Sequence, residues 1–318
     1  MSSDQRLGVM GFPMAINLRE KMGPNATLLI CDVSADAIGK FQSQTKDQGP
    51  VQVVKNGFEA VQKADIVVTM LPNGSAVESV YLDAETGILS GIRHRNPEAT
   101  KELIIMECGT IESATIQKVA QATESLSKDF PAVKFVDAPV SGGPMGAQAG
   151  TLTFMVGGEE TSFKAAGKIL QHMGNPDGIF HCGDVGAGTA FKVINNYLSA
   201  ITSLAASEAL NIGAKMNLDL QTLTDVINVS GGQCWVTSKS NPVPGIHANA
   251  PASRGYEGGF RIELCSKVLQ MGSDLAKMVG ARTILDKPTL NAFHEACEDP
   301  RYKGKDARVV YKWLNEQS

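Results

Sequence analysis

Short runs of branched apolar residues alternate with helix-length segments between Ala26 and Asp184. The runs lack the alternation of apolar and polar residues that marks a half-exposed strand. Uninterrupted apolar runs of this kind are typical of strands buried on both faces. Because a helix-length segment separates most neighbouring runs, we predict a doubly wound, mainly parallel Rossmann-type α/β sheet. The predicted strands are ATLLICD (26–32), VQVV (51–54), DIVVTMLP (65–72), ELIIMECGT (102–110), KFVDAPV (134–140), LTFMVGG (152–158) and GIFHCGD (178–184).

The strand pattern stops after Gly188, and the rest of the chain reads as helices. The segment 189–216 breaks no rule of helix formation for about 28 residues, which predicts a helix roughly 40 Å long. Since this segment is apolar on more than one side, we expect a buried central helix that links two domains. Further helices are predicted near 219–229, 264–280, 285–297 and 304–316, with a Gly/Pro-rich loop over 241–259. The predicted domains are a dinucleotide-binding domain (1–187) and an all-helical substrate and oligomerisation domain (188–318).

The first residues contain part of a dinucleotide-binding fingerprint, Gly-x-Gly-x-x-Gly. Gly8 and Gly11 fit its second and third glycines, while Arg6 occupies the first. Five residues precede Arg6, too few for the central strand that normally leads into this turn, so we expect a truncated first strand. Its loss would leave two neighbouring strands without ladder partners.

An acidic residue supports the fingerprint. Asp32 ends a predicted strand and lies 21 positions after Gly11, close to the ~20-residue spacing at which a carboxylate binds the ribose hydroxyls of a dinucleotide. A carboxylate there repels a 2′-phosphate, which favours NAD over NADP. The alternative interpretation is a strand-end cap with no ligand.

Two further segments carry candidate chemistry. In DAPVSGG (137–143) a strand runs into Ser141, Gly142 and Gly143, where a hydroxyl and bare backbone N–H groups suit a carboxylate, although a tight turn would also use glycines. In FKVINN (191–196), Lys192 and Asn196 are four residues apart and share one helix face. A lysine whose pKa is lowered in a dry cleft can exchange a proton with an alcohol oxygen. The alternative is a lysine that extends its head group to water.

Composition excludes several classes of function. The 318 residues carry a net charge of −4 and no long basic run, so we expect neither a nucleic acid nor a membrane partner. The six cysteines form no C-x-x-C pair and the five histidines form no H-x-x-x-H pair, which disfavours a metal site. No tyrosine is followed four residues later by lysine, which removes the short-chain dehydrogenase arrangement.

Several motifs together resemble the β-hydroxyacid dehydrogenase family, to which the 6-phosphogluconate dehydrogenases are related, from Leu7 to the last helix. The most specific feature of the resemblance is that SNPVPG (240–245) occurs together with GYEGGF (255–260). The motifs are GVMGFPMAINL (8–18), DAPVSGG (137–143), GTLTFMVGG (150–158), GAGTAFKVINN (186–196), NVSGGQCW (228–235), SNPVPG (240–245) and GYEGGF (255–260).

The resemblance implies NAD-dependent oxidation of a small 3-hydroxy acid, with 3-hydroxyisobutyrate the expected substrate and methylmalonate semialdehyde the product, in valine breakdown. It also implies a homo-oligomer formed through the helical domain, in the mitochondrial matrix or the cytoplasm; no targeting peptide is visible in the sequence. By resemblance, Lys192 is the catalytic lysine and Asn196 holds substrate together with Ser141, Gly142 and Gly143. The implied cofactor-binding residues are Gly8, Met10, Gly11, Asp32, Leu71, Pro72, Thr110 and Lys267.

The chain departs from the family pattern at two places. Val268 follows Lys267 where the family usually has aspartate, and the first strand and first glycine are missing before Leu7. Two alternative functions stay open, and the missing strand supports the first of them. One is a truncated or non-catalytic homologue that no longer binds the cofactor well, and the other is an NADPH-dependent reductase of small semialdehydes.

Overall fold

The structure is a computed structural model that describes residues 8–96 and 101–316. The chain divides into two units, Met1–Lys192 and Val193–Ser318. The predictions about Arg6 and the residues before it lie outside the described residues.

The first unit contains every strand predicted between Ala26 and Asp184. The strands are β1 (Leu28–Ile30), β2 (Val51–Val53), β3 (Ile66–Thr69), β4 (Leu103–Glu107), β5 (Val133–Asp137), β6 (Val140–Ser141), β7 (Leu152–Gly157) and β8 (Gly174–Gly183). The helices are α1 (Gly11–Lys21), α2 (Ala35–Gln44), α3 (Gly57–Lys63), α4 (Gly74–Leu82), α5 (Ile88–Arg93), α6 (Ser113–Ser127), α7 (Gly143–Ala149), α8 (Glu160–Leu170) and the start of α9 (Ala187–Lys215).

These strands form two sheets within the described ranges. In the larger sheet β3, β4 and β5 run parallel, β7 is antiparallel to β5 and β6, and β8 runs parallel to β7. The smaller sheet pairs β1 with β2 in parallel, with Leu28 opposite Val51. The doubly wound, mainly parallel fold predicted from the apolar runs is confirmed.

The break between the sheets falls between β1 and β3, the strands that the doubly wound order places on either side of the first strand. All residues of β4, in the interior of the larger sheet, are buried, whereas Ile66 of the outer strand β3 is exposed. The edge of the larger sheet therefore lies at β3 in the part of the chain that the structure describes.

One predicted strand is divided in the structure. The run 134–140 becomes β5 and β6, with Ala138 and Pro139 between them. Proline has no N–H to donate to a ladder, so β5 ends before it, but Asp137 opposite Gly157 and Val140 opposite Phe154 keep one antiparallel register with β7. The chain thus continues along β7 from the buried Asp137 to the half-buried Ser141.

The second unit is helical, as predicted. Its core gathers Leu204 of α9 with apolar residues from the rest of the unit, among them Leu269, Phe293 and Tyr302. The helices after α9 are α10 (Leu220–Asn228), α11 (Trp235–Lys239), α12 (Ile262–Met278), α13 (Asp286–Glu298) and α14 (Val310–Glu316), with 3-10 turns at Pro251–Arg254 and Ala307–Val309. Within residues 8–96 and 101–316, no helix combines the length and the hydropathy of a membrane span.

Two helix predictions need correction. The predicted helix 304–316 starts later, because the Asp306 side chain accepts the Arg308 N–H at 3.0 Å and begins a 3-10 turn there. The central helix α9 begins in the first unit and continues into the second, but it is not buried on every side. The side chains of Leu198 and Ile212 are 60% and 61% exposed, so α9 has an open apolar face.

Candidate functional site

The turn that leads into α1 presents backbone groups of Gly8, Met10 and Gly11. The Gly8 carbonyl accepts the Phe12 N–H at 2.9 Å, and Met10 at the N-cap position provides no side-chain acceptor. A Cβ added to Gly11 would lie 3.4 Å from the Met70 Cβ, so helix α1 packs closely on the segment after β3. A helix start without a side-chain cap suits an anionic group such as a pyrophosphate.

Asp32 lies beside this turn. It follows β1, is exposed, and its Oδ1 accepts the Ser34 N–H at 2.8 Å. A Cβ built on Gly8 would be 4.0 Å from the Asp32 Oδ2, so the structure brings the turn and the carboxylate together. The second carboxylate oxygen therefore lies next to the fingerprint turn, where a ribose hydroxyl would donate to it.

Leu71, Pro72 and Thr110 follow the adjacent strands β3 and β4, which pair with Thr69 opposite Glu107. Leu71 and Thr110 are half-buried and Pro72 is exposed. A Cβ on Gly109 would lie 2.7 Å from the Leu71 carbonyl oxygen. The structure thus brings the two predicted cofactor-lining segments together at one edge of the sheet.

A buried carboxylate, which the sequence analysis did not single out, joins these two segments. The Oε1 of Glu107 accepts the Gly109 N–H at 2.7 Å, and its Oε2 accepts the Thr69 hydroxyl, which lies 2.6 Å from the Tyr81 hydroxyl. Glu107 has no exposed surface, and this burial raises its pKa to about 7 despite the hydrogen bonds that it accepts. Glu107 thus ties the end of β4 to β3, three residues before Thr110.

The loop of Ser141, Gly142 and Gly143 follows the short strand β6. Ser141 pairs opposite Thr153 of β7, which fixes the position of its backbone. Gly142 and Gly143 have φ angles of 132° and 63°, a conformation that residues with a side chain rarely adopt. Both glycines are exposed and Ser141 is half-buried, so the loop presents a hydroxyl group next to exposed backbone.

Lys192 lies near the start of α9, in a dry environment. Its side chain is only 8% exposed, and burial lowers the pKa of its amine to about 8. Asn196, one helical turn later, is half-buried and belongs to the second unit. An amine with this pKa is partly neutral near pH 8, so it can accept a proton from an alcohol.

Lys267 lies on α12 in the second unit and is half-buried. The residue after it, Val268, is buried in an apolar cluster with Val193 and Met271. An aspartate at position 268 would bury a charge in this cluster, which explains why valine fits this chain.

The structure thus brings Gly8, Met10, Gly11 and Asp32 into one group and Leu71, Pro72 and Thr110 into a second. The loop 141–143 and Lys192 are further parts of the same unit, whereas Asn196 and Lys267 belong to the other unit. Two buried carboxylates at strand ends, Glu107 and Asp137, were missed. An acidic residue that ends an otherwise apolar run is the signal that could have identified them.

An α/β unit with a dinucleotide-type turn, followed by a helical unit and a buried lysine, defines the class of NAD-binding oxidoreductases. Residues 7–186 match the family described as the NAD binding domain of 6-phosphogluconate dehydrogenase, and residues 186–314 match NAD-binding of NADP-dependent 3-hydroxyisobutyrate dehydrogenase. The chain belongs to the 3-hydroxyisobutyrate dehydrogenase family.

Relatives of this name match nearly the whole chain. A probable mitochondrial 3-hydroxyisobutyrate dehydrogenase of Dictyostelium discoideum is 39% identical and covers 98% of this chain and 89% of its own length. A Pseudomonas aeruginosa 3-hydroxyisobutyrate dehydrogenase is 38% identical and covers 96% of this chain and 95% of its own length. The solved structure of the Mycobacterium tuberculosis enzyme with L-serine superposes with a TM-score of 0.82 at 32% identity, covering 97% of each chain. The resemblance inferred from the motifs is confirmed.

Proposed function

We propose that the protein oxidises 3-hydroxyisobutyrate to methylmalonate semialdehyde with NAD, in valine catabolism. The observation that carries this proposal is the buried Lys192, whose lowered pKa of about 8 makes it a base for an alcohol proton. The family membership of the chain supports the choice of substrate. Relatives from both Dictyostelium discoideum and Homo sapiens bear the name of this activity.

The residues present fit the cofactor. A side chain at Gly8 would enter the space beside Asp32, and the start of α1 lacks a side-chain cap, so backbone N–H groups are available to a pyrophosphate. In the proposal, Gly8, Met10 and Gly11 hold this group, and Asp32 accepts from the ribose. Leu71, Pro72 and Thr110 line the rest of the cofactor site, and the cofactor role of Lys267 stays a prediction from the resemblance. Bound NAD supplies the hydride acceptor.

The substrate is held and deprotonated by this chain's own residues. Ser141, Gly142 and Gly143 offer a hydroxyl and backbone N–H groups to the substrate carboxylate, and Asn196 holds the substrate beside Lys192. The neutral amine of Lys192 accepts the hydroxyl proton as the carbon–hydrogen bond breaks. Burial keeps this amine away from water, which maintains its neutral fraction.

The proposal has a direct test with the purified protein, NAD and 3-hydroxyisobutyrate. We expect NADH to form, which its absorbance measures, and we expect much slower turnover with NADP because Asp32 repels a 2′-phosphate. Isothermal titration with NAD in the absence of substrate separates the alternatives. No NAD binding would support the non-catalytic homologue, and faster turnover of methylmalonate semialdehyde with NADPH than with NADH would support the sister reductase.

We further propose that the protein is a homo-oligomer and that α9 contributes to its interface. The support is an exposed apolar face on α9 whose members follow the three- and four-residue spacing of a helix surface. A second copy of the chain would cover this face, because contiguous exposed apolar surface of this kind favours association. The residues of the face are Ile194, Leu198, Ala205, Ala209 and Ile212, and Met216 follows just after the end of α9.

Leu198→Glu tests the oligomer. We expect the variant to have a lower mass in light scattering after size exclusion, because a charge inside an apolar interface is left unpaired. Asn291→Glu adds the same charge at an exposed position of α13 and serves as the matched control. An unchanged mass in Leu198→Glu would remove α9 from the interface. The location in the mitochondrial matrix or cytoplasm stays a prediction.

A further inference from the structure

Asp137 occupies the end of β5, four residues before Ser141, and has no exposed surface. Its two carboxylate oxygens each accept one backbone N–H. Oδ1 accepts from Gly186 at 2.6 Å and Oδ2 accepts from Thr189 at 2.6 Å. These donors flank the first residues of α9, which begins at Ala187. Asp137 therefore caps the helix that carries Lys192.

This cap comes from far along the chain. A helix start is usually capped by the residue just before it, whereas Asp137 lies 49 and 52 positions before its two partners. The backbone of α9 also approaches the sheet closely. A Cβ on Gly188 would overlap the Met155 carbonyl oxygen, and a Cβ on Gly157 would overlap the Asp137 Oδ1. The start of α9 is thus fixed against β5 and β7 with no room for a side chain.

The helix does not need this carboxylate in order to form. At 29 residues α9 is long enough to be helical without one special cap. A fully buried carboxylate is costly, and burial raises the pKa of Asp137 although its hydrogen bonds act in the opposite direction. What the carboxylate does provide is one fixed position for the helix start, with Lys192 three residues beyond Thr189.

We infer that Asp137 is a positioning residue for the reaction: it fixes the start of α9 relative to the Ser141 loop and so places the amine of Lys192 at the substrate hydroxyl. The inference rests on the proposed function, because it assigns Lys192 and Ser141 their roles. Asp137 itself touches neither substrate nor cofactor in this inference and acts through the two backbone N–H groups.

The test compares Asp137→Asn with Asp184→Asn. Asp184 is an exposed carboxylate two residues before Gly186, so its change removes the same charge near the same helix start. In Asp137→Asn the new amide N–H₂ faces a backbone N–H and one hydrogen bond is lost. We expect kcat for 3-hydroxyisobutyrate to fall about tenfold to a hundredfold, as for a small misplacement of a reacting group, with the Kd for NAD within about twofold. Asp184→Asn should retain wild-type values.

A double-mutant cycle separates positioning from general destabilisation. If Asp137 acts through Lys192, Asp137→Asn should cost little in a Lys192→Ala background, whereas independent effects would multiply. Multiplying effects, or an equal loss in NAD affinity, would overturn the inference. Asp137→Ser, which is smaller and retains one acceptor, replaces the asparagine variant if that variant does not fold. Loss of the fold in both variants would make Asp137 a stability residue and would also overturn it.

Hydrogen exchange gives a readout that does not depend on activity. In the protein without ligands, Asp137→Asn should speed exchange of the amides in peptides covering 184–192 about tenfold or more, while Asp184→Asn should not. Unchanged exchange would overturn the inference even if the enzyme is active. If the wild type does not oxidise 3-hydroxyisobutyrate but Asp137→Asn still speeds exchange, the proposed function is rejected. The role of Asp137 as the cap of α9 is then retained.

Discussion

Replacing Lys192 by alanine is expected to lower kcat for 3-hydroxyisobutyrate oxidation by about 10²- to 10⁴-fold, the usual contribution of a positioned proton acceptor. The Kd for NAD should stay within about twofold, because the cofactor turn lies at the start of α1. Steady-state kinetics and calorimetric titration measure the two quantities. The wild-type rate should also fall below pH 8, because protonation of an amine with a pKa of about 8 removes the base.

Two variants make the Lys192 prediction specific. Lys215→Ala removes an exposed lysine from the same helix and should keep wild-type activity. Lys192→Arg keeps a cation but not a titratable base, since a guanidinium stays protonated at these pH values, so it should be nearly as inactive as the alanine variant. An arginine variant with wild-type kcat would assign Lys192 an electrostatic role rather than proton transfer.

Changing Asp32 to serine is expected to raise the KM for NAD about ten- to a hundredfold, because charge-assisted hydrogen bonds to the ribose hydroxyls are lost. The same change removes the repulsion of a 2′-phosphate, so the KM for NADP should fall. The ratio of kcat/KM for NAD to that for NADP is the measured quantity, and it should decrease by about 10² or more.

The matched control for Asp32 is Asp36→Ser. Asp36 is an exposed acidic residue in the first turn of α2, four positions further along the chain. Its removal changes the net charge equally and should leave the cofactor ratio unchanged. An Asp32 variant with the wild-type ratio would show that this carboxylate is a strand-end cap without a ligand.

The architecture was predictable because buried strands and long helices have strong patterns. Apolar runs are distinguishable in the sequence whatever they pack against, which explains why the strand at 103–107 and the helix at 187–215 were both found. The five-residue helix α11 was not predicted, since so short an element has too few turns for a periodic pattern. The exposure of the apolar face of α9 was not predicted either. An apolar helix face has the same sequence pattern whether the core of the protein covers it or the face is left exposed.

The candidate site likewise contains residues that the sequence could predict and residues that it could not. Gly8, Gly11 and Asp32 follow a local spacing rule, so the sequence predicted their proximity, and the structure places them together. Asp137 and Glu107 also bind partners far along the chain, which no spacing rule relates to them. The partner of Glu107 on β3 is Thr69, and the two meet only because β3 and β4 pair in one register. Their burial, which raises the pKa of both carboxyl groups, arises from packing rather than from neighbours in sequence.

The continuity of α9 across the two units has an evolutionary consequence. Inserting one residue after Lys192 would rotate every later residue of this helix by about 100° about its axis and shift it by about 1.5 Å. Asn196 would leave the face of Lys192, and the open apolar face would turn with it. Lineages of this chain should therefore tolerate length changes in loops such as 241–259 but accept only substitutions between 187 and 215. A library of single-codon insertions, selected for growth on valine, should contain no surviving insertion between positions 187 and 215.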